Sequence, residues 1–121
     1  MPTNIKISFL NHEVEAVIYD NTTGVDIISL LPIENSISLW GDEIYFHLAD
    51  EVKVDSVKDS VEKGDLAFWP EGNCMCIFFG RTPASIGDEI RPASPVAVFG
   101  KVTGDLSVFK KAKAGSRIVI E

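Results

Sequence analysis

The residues whose types could do chemistry are few and scattered in this sequence. Cys74 and Cys76 form a C-x-C pair, with no second cysteine pair, and His12 and His47 stand alone. A tetrahedral metal site needs further Cys or His ligands, so the pair is no metal centre. Residues two apart on a strand point in parallel, near the upper limit of the separation a disulfide tolerates, so bridging is unfavourable. The two thiols read as structural. Asp42-Glu43 and Asp88-Glu89 are adjacent carboxylates. Neighbours on a strand point to opposite faces, which makes them weak acid–base partners. No P-loop, dinucleotide fingerprint or nucleophile elbow occurs. The expectation is a chain with no catalytic residues, no metal and no cofactor, leaning away from an enzyme.

What remains is apolar and aromatic chemistry, concentrated in the run Gly64 to Gly80, GDLAFWPEGNCMCIFFG. It reads as strand, EGN turn, strand. Alternation puts Leu66 and Phe68 on one face and Ala67 and Trp69 on the other. Cys76 and Phe78 are set with Leu66 and Phe68 on the face that fills the barrel. Trp69, Met75, Ile77 and Phe79 then line the outside. Trp69 followed by Pro70 makes a rigid apolar wall, and Arg81 offers a planar donor fork at the rim. Such an outer face is too apolar to be left wet. It serves either as a groove for a peptide segment or small apolar ligand, partly roofed by the loop 81–95, or as a homodimer contact. Phe46, Phe68, Phe78, Phe99 and Phe109 read as core.

Period-2 alternation dominates the elements that must hold this run. NIKISFL and EVEAVIY form a first hairpin with Asn11-His12 at its turn. Ile37 and Leu39, then Ile44, Phe46 and Leu48, form a second hairpin around Gly41-Asp42. Between the hairpins, Ile27, Leu30 and Leu31 recur at helical spacing. The polar run Asp20 to Thr23 caps that helix over residues 23–31, with Thr23 and Asp26 as a capping box, and Pro32 stops it. Residues 50–65 read as an exposed strand with a following loop. The stretch from Arg81 to Pro95 carries Pro83, Gly87, Pro92 and Pro95 and is the longest irregular segment. VAVFGKV is a strand, Thr103 caps a short helix, Gly115 follows it as a C-terminal cap, and RIVI closes the sheet.

The 121 residues suit one domain. An apolar fraction of 45% with 24% charged residues is that of an ordinary globular chain. The net charge of −7 argues against a nucleic-acid partner. Lys110, Lys111, Lys113 and Arg117 form the one basic cluster and read as a cationic helix end. The N-terminus lacks an apolar signal region, and no stretch approaches the ~20 apolar residues that span a bilayer. A cytoplasmic location without membrane contact is the expectation.

Several ordered motifs carry a resemblance. VFGKVTGDLSVFKKA (98–112) resembles the C-terminal strand and short helix of cyclophilins. Gly64, Asp65, Ala67, Trp69, Pro70 and Gly72, followed by Phe78-Phe79-Gly80 and Thr82-Pro83, are similar to a run shared by the small prokaryotic cyclophilin-like family of uncharacterised proteins. The similarity extends over nearly the full length. Seven to nine strands with two short helices already suggest a closed or nearly closed barrel, and the resemblance implies an all-β closed barrel of about eight strands with two short helices. It also implies a ligand groove that Phe79 walls. True cyclophilins isomerise X–Pro bonds with a strand Arg, a Gln and a pocket His. Here Leu48 stands at the Arg position, the charged segment 50–63 replaces the Gln stretch, and Val96 stands at the His position. The resemblance therefore implies a binding module that keeps the fold without the usual isomerase residues.

Overall fold

The computed structural model describes residues 1–121. Its strands are β1 (Thr3–Phe9), β2 (His12–Ile18), β3 (Ile33–Ser36), β4 (Ser38–Leu39), β5 (Glu43–His47), β6 (Asp65–Trp69), β7 (Cys74–Phe78), β8 (Ala97–Val102) and β9 (Arg117–Ile120). All pair antiparallel, in the order β3-β9-β1-β2-β8-β6-β7-β5-β4. The two ends of this order are consecutive in sequence. At Ile37, between β3 and β4, the N–H donates to Ser116 and the carbonyl accepts from Gly115. One bent run thus pairs with β9 at its start and β5 at its end, and the sheet curls into a nearly closed barrel. The nine segments become the expected eight if this run is counted once. Closure matters because it removes the unpaired edges that invite aggregation.

Local chemistry accounts for the joints. Leu10 and Asn11 both adopt positive φ, 49° and 68°, so the β1–β2 turn has the primed geometry that matches strand twist. His12 is therefore the first strand residue, paired with Phe9, rather than part of the turn. Helix α1 (Thr22–Ser29) starts one residue earlier than the pattern predicts. Its cap is Asn21, whose side chain accepts from the Gly24 N–H at 2.7 Å. Thr23 instead donates to Asp55 and Asp26 accepts from the Lys53 N–H, so the helix start is tied to the segment 50–63. The short 3-10 helix η1 (Leu106–Lys111) is capped by Asp105 rather than Thr103. Gly115, at φ +89°, lies in the turn before β9 instead of capping that helix.

The segment 50–63 is not a strand. It runs as an irregular strap held by single bridges, Lys58 to Val96 and Val61 to Ile90. Strap and long loop thus secure each other across the outside of β6 and β7.

The barrel interior holds Ile7, Ile18, Phe46, Leu66, Phe68, Phe99 and Ile118, with Met75, Ile77 and Phe79 among them. Phe109 closes the aromatic stack, 5.5 Å from Phe9 and 5.9 Å from Phe79 between ring centroids. All five Phe side chains expected in the core are buried. Phe78, however, belongs to a second cluster on the outer face, with Ala67, Cys74, Cys76, Val61, Ile90 and Val96. The face assignment of β7 is thus the reverse of the one expected. The turn has four residues, Pro70 to Asn73, because Trp69 pairs with Cys74. One additional turn residue exchanges the two faces of the following strand.

Candidate functional site

The outer face of β5, β6 and β7 is the part of the sheet that a loop covers incompletely. Register places Glu43 opposite Phe78 and Tyr45 opposite Cys76, with Cys76 next to Ala67. The loop between Phe79 and Val96 folds over this surface, burying Thr82, Ile90, Pro92 and Val96. It leaves a cavity of about 230 Å³. Trp40, Tyr45 and Trp69 supply aromatic walls, Pro92, Ala93 and Val96 line the loop side, and Glu43 is the one carboxyl in the lining.

Two clamps hold the walls. The Trp69 indole N–H donates to the Ser94 hydroxyl, which ties the strand wall to the loop. A Cβ at Gly72 would overlap the Trp69 ring, so the turn needs a residue without a side chain there. The second clamp joins the β4–β5 turn to the segment after the Phe pair. The Asp42 N–H donates to the Arg81 carbonyl, and the Phe79 N–H donates to the Asp42 carbonyl, each at 2.9 Å. A Cβ at Gly80 would collide with the Asp42 side chain. Gly41, at φ +60°, backs onto Arg81, Thr82 and Pro83. Within the loop, the Thr82 hydroxyl donates to the Arg91 carbonyl, and Ser85 accepts from the N–H groups of Thr82 and Arg91. The Gly-x-Thr-Pro pattern thus builds the bracket that fixes Glu43 at the start of β5.

Glu43 is only 5% exposed. Burial pushes its carboxyl up to about 7, against the opposing pull of the Cys76 thiol beside it. The thiol itself is driven well above its usual range by burial and by the neighbouring Glu43 charge. Cys74 is raised by the same causes. These thiols are inert, since reactive cysteines occupy electropositive, partly exposed surroundings. No group of three or more His, Cys, Asp or Glu side chains is arranged to hold a metal.

The residues expected from sequence separate into three places. Trp69 lines the cavity. Met75, Ile77 and Phe79 lie in the barrel interior and do not reach it. Pro70 is exposed at the hairpin turn, and Arg81 is exposed with its guanidinium donating to the Ser85 carbonyl at 3.2 Å. Trp40, Glu43, Tyr45, Pro92, Ala93 and Val96 were not read as site residues. Alternation in EIYFHL already sets Glu43 and Tyr45 opposite Ile44 and Phe46. That is the signal that could have found them.

A nearly closed antiparallel barrel with a helix packed against β2 and β8 and a roofed outer face defines the class. The cyclophilin-like family model matches residues 3–121, and the chain belongs to that family. It is similar to a hypothetical protein of Archaeoglobus fulgidus known from its solution structure, with 36% identity over 99% of this chain and 94% of that one, and a TM-score of 0.77. No curated protein matches the sequence. No helix is long and apolar enough to cross a membrane.

Proposed function

We propose that this domain is a binding module whose roofed outer pocket takes a small, largely apolar ligand. The observation that carries this reading is the cavity itself. It combines three aromatic side chains with one nearly buried carboxyl, the mostly apolar lining with few polar groups that marks small-molecule sites. The hydrogen-bonded brackets around it hold the walls before any ligand arrives, and such preorganisation lowers the entropy cost of binding. Isomerase activity finds less support, because no Arg, Lys or His lines the cavity to donate a hydrogen bond to a prolyl nitrogen. Of the residues on which a homodimer contact was expected, Met75, Ile77 and Phe79 lie in the barrel interior and Trp69 is tied to the loop, which favours a small occupant over a second protein surface.

The test is an NMR titration of the whole chain with a panel of small apolar and aromatic compounds and short Pro-containing peptides. Shifts at the indole signals of Trp40 and Trp69 are expected with at least one of the small compounds. Silence at both indoles across the panel at millimolar concentrations would overturn the proposal.

A further inference from the structure

We propose that the pocket selects ligands bearing a protonated amine on a short apolar or aromatic stem, with Glu43 as the counter-ion. This inference rests on the pocket reading above and adds the chemical class of its occupant. Glu43 is 95% removed from solvent by its 5% exposure, yet it enters none of the ion pairs of the molecule. Of the two arginines in the roof loop, Arg91 is engaged with Glu89 and Arg81 donates to the Ser85 carbonyl. A buried carboxylate without a cation is costly, and either a proton or a bound cation relieves that cost, so a carboxyl in a cavity wall offers a counter-ion to a cationic ligand. The Cys76 thiol is the one hydrogen-bond partner of its carboxylate, which no ion pair neutralises, and the residue lines the cavity.

The walls favour the same occupant. Trp40, Tyr45 and Trp69 present aromatic rings, whose faces attract cations most strongly where water is excluded. An ammonium offers donors to the carboxylate and an apolar stem to the rings. An anion would meet Glu43 with no basic group to compensate. The net charge of −7 draws cations towards the molecule at long range. A cavity of about 230 Å³ fits a small amine with its stem, not a folded partner.

Protonation of Glu43 then competes with the ligand. The titratable groups facing it are Tyr45 from its own strand and Cys74 and Cys76 from β7, both thiols pushed up by burial and so kept neutral. The roof segment 92–96 contributes none. With Glu43 at about 7 in the free protein, amine affinity falls as pH drops below that value, by about tenfold per unit once the carboxyl is mostly protonated.

Benzylamine and benzyl alcohol form a suitable probe pair, since they share a shape and differ in charge. Their affinities are measured at about pH 8 from the Trp40 and Trp69 indole shifts, in the wild-type protein and in Glu43→Gln. The wild type should prefer benzylamine by about tenfold or more, and the ratio should fall to near one in Glu43→Gln. A wild-type titration at pH 5 and 8 supplies a check that needs no variant: only the benzylamine affinity should drop at pH 5. Equal affinities for the two probes would overturn the amine assignment and leave the pocket reading standing. A preference that survives in Glu43→Gln, or that ignores pH, would also overturn it. No indole shift with either probe would overturn the amine assignment, whereas the pocket reading falls only with silence across the whole panel.

Discussion

The two faces of the β6–β7 hairpin are built from similar residues and end in different states. On the inner face, Leu66, Phe68, Met75 and Ile77 are sealed in one continuous apolar core. On the outer face, Ala67, Cys74, Cys76 and Phe78 are equally buried, but under a loop and a strap rather than under other strands. A strand face covered by strands is closed by the ladder itself. A face covered by a loop is closed only where loop side chains reach. Between Trp69 and Pro92 they do not, and a carboxyl stands in the gap. The inner face therefore carries the stability of the fold, while the outer face has the shape and chemistry of a site.

Truncating the inner face should give the largest effect. Phe79→Ala empties a place beside Phe109 in the barrel, and loss of about 3–5 kcal/mol is expected. Urea unfolding monitored by tryptophan fluorescence measures it. A loss below about 1 kcal/mol would mean that Phe79 faces outward after all, as a surface change usually costs little.

Next comes the acid of the outer face. The carboxyl of Glu43 sits at about 7 when folded, against an ordinary value of 4.5. The folded state therefore holds more protons than the unfolded one between those values, and stability falls as pH rises through that window. Below it the penalty vanishes, and above about pH 7 it is complete. Glu43→Gln removes the charge, so it should stabilise the protein by about 2–3 kcal/mol at pH 8 and change little at pH 4. Paired unfolding curves at the two pH values decide this. A Gln variant that is less stable at pH 8 would show that the carboxylate is satisfied within the protein and does not await a ligand.

These two side chains also mark how far the sequence could be read. Alternation made the β class, the hairpins and most of the core legible, because burial on one side of a sheet forces period 2. The number of strands suggested closure into a barrel, since closure removes exposed edges, and the family motifs implied the same fold. The faces of β7 went astray at a single point. Reading Glu71 to Asn73 as the whole turn, rather than Pro70 to Asn73, moves Met75, Ile77 and Phe79 outward and Cys76 and Phe78 inward. Both faces are apolar, so neither choice looked worse. Where a sheet is buried on both sides, hydrophobicity stops reporting direction, and the register rests on turn length alone. Glu43 was hidden for another reason. Alternation sets it on the outer face with Tyr45, but the loop residues that share its cavity, Pro92, Ala93 and Val96, lie far along the chain, so nothing near Asp42-Glu43 signals that this face is roofed.

The clamp between strand and roof gives a smaller effect. Ser94→Ala removes the acceptor of the Trp69 indole N–H, and a cost of about 1 kcal/mol is expected. Ligand affinity should fall with it, since the wall is then free to swing. Hydrogen exchange at the Trp69 indole should accelerate in the variant. Exchange as slow as in the wild type would show that packing against Gly72, rather than the hydrogen bond, fixes the ring.

Arg81 should give the smallest effect, and it divides the two faces from the rim between them. Its backbone belongs to the bracket, because its carbonyl accepts the Asp42 N–H. Its side chain does not: the guanidinium is exposed and donates to the Ser85 carbonyl within the same loop. Arg81→Ala keeps the carbonyl and deletes the fork. Stability should move by less than about 0.5 kcal/mol, as is usual for exposed surface changes. Benzylamine affinity at the indole signals should remain within about twofold of wild type, because an exposed charge beyond the first contacts is largely screened at physiological salt. A tenfold loss would bring the guanidinium to the pocket mouth in the bound state. The roof would then have to move on binding, and the outer face would be a surface that closes around its ligand.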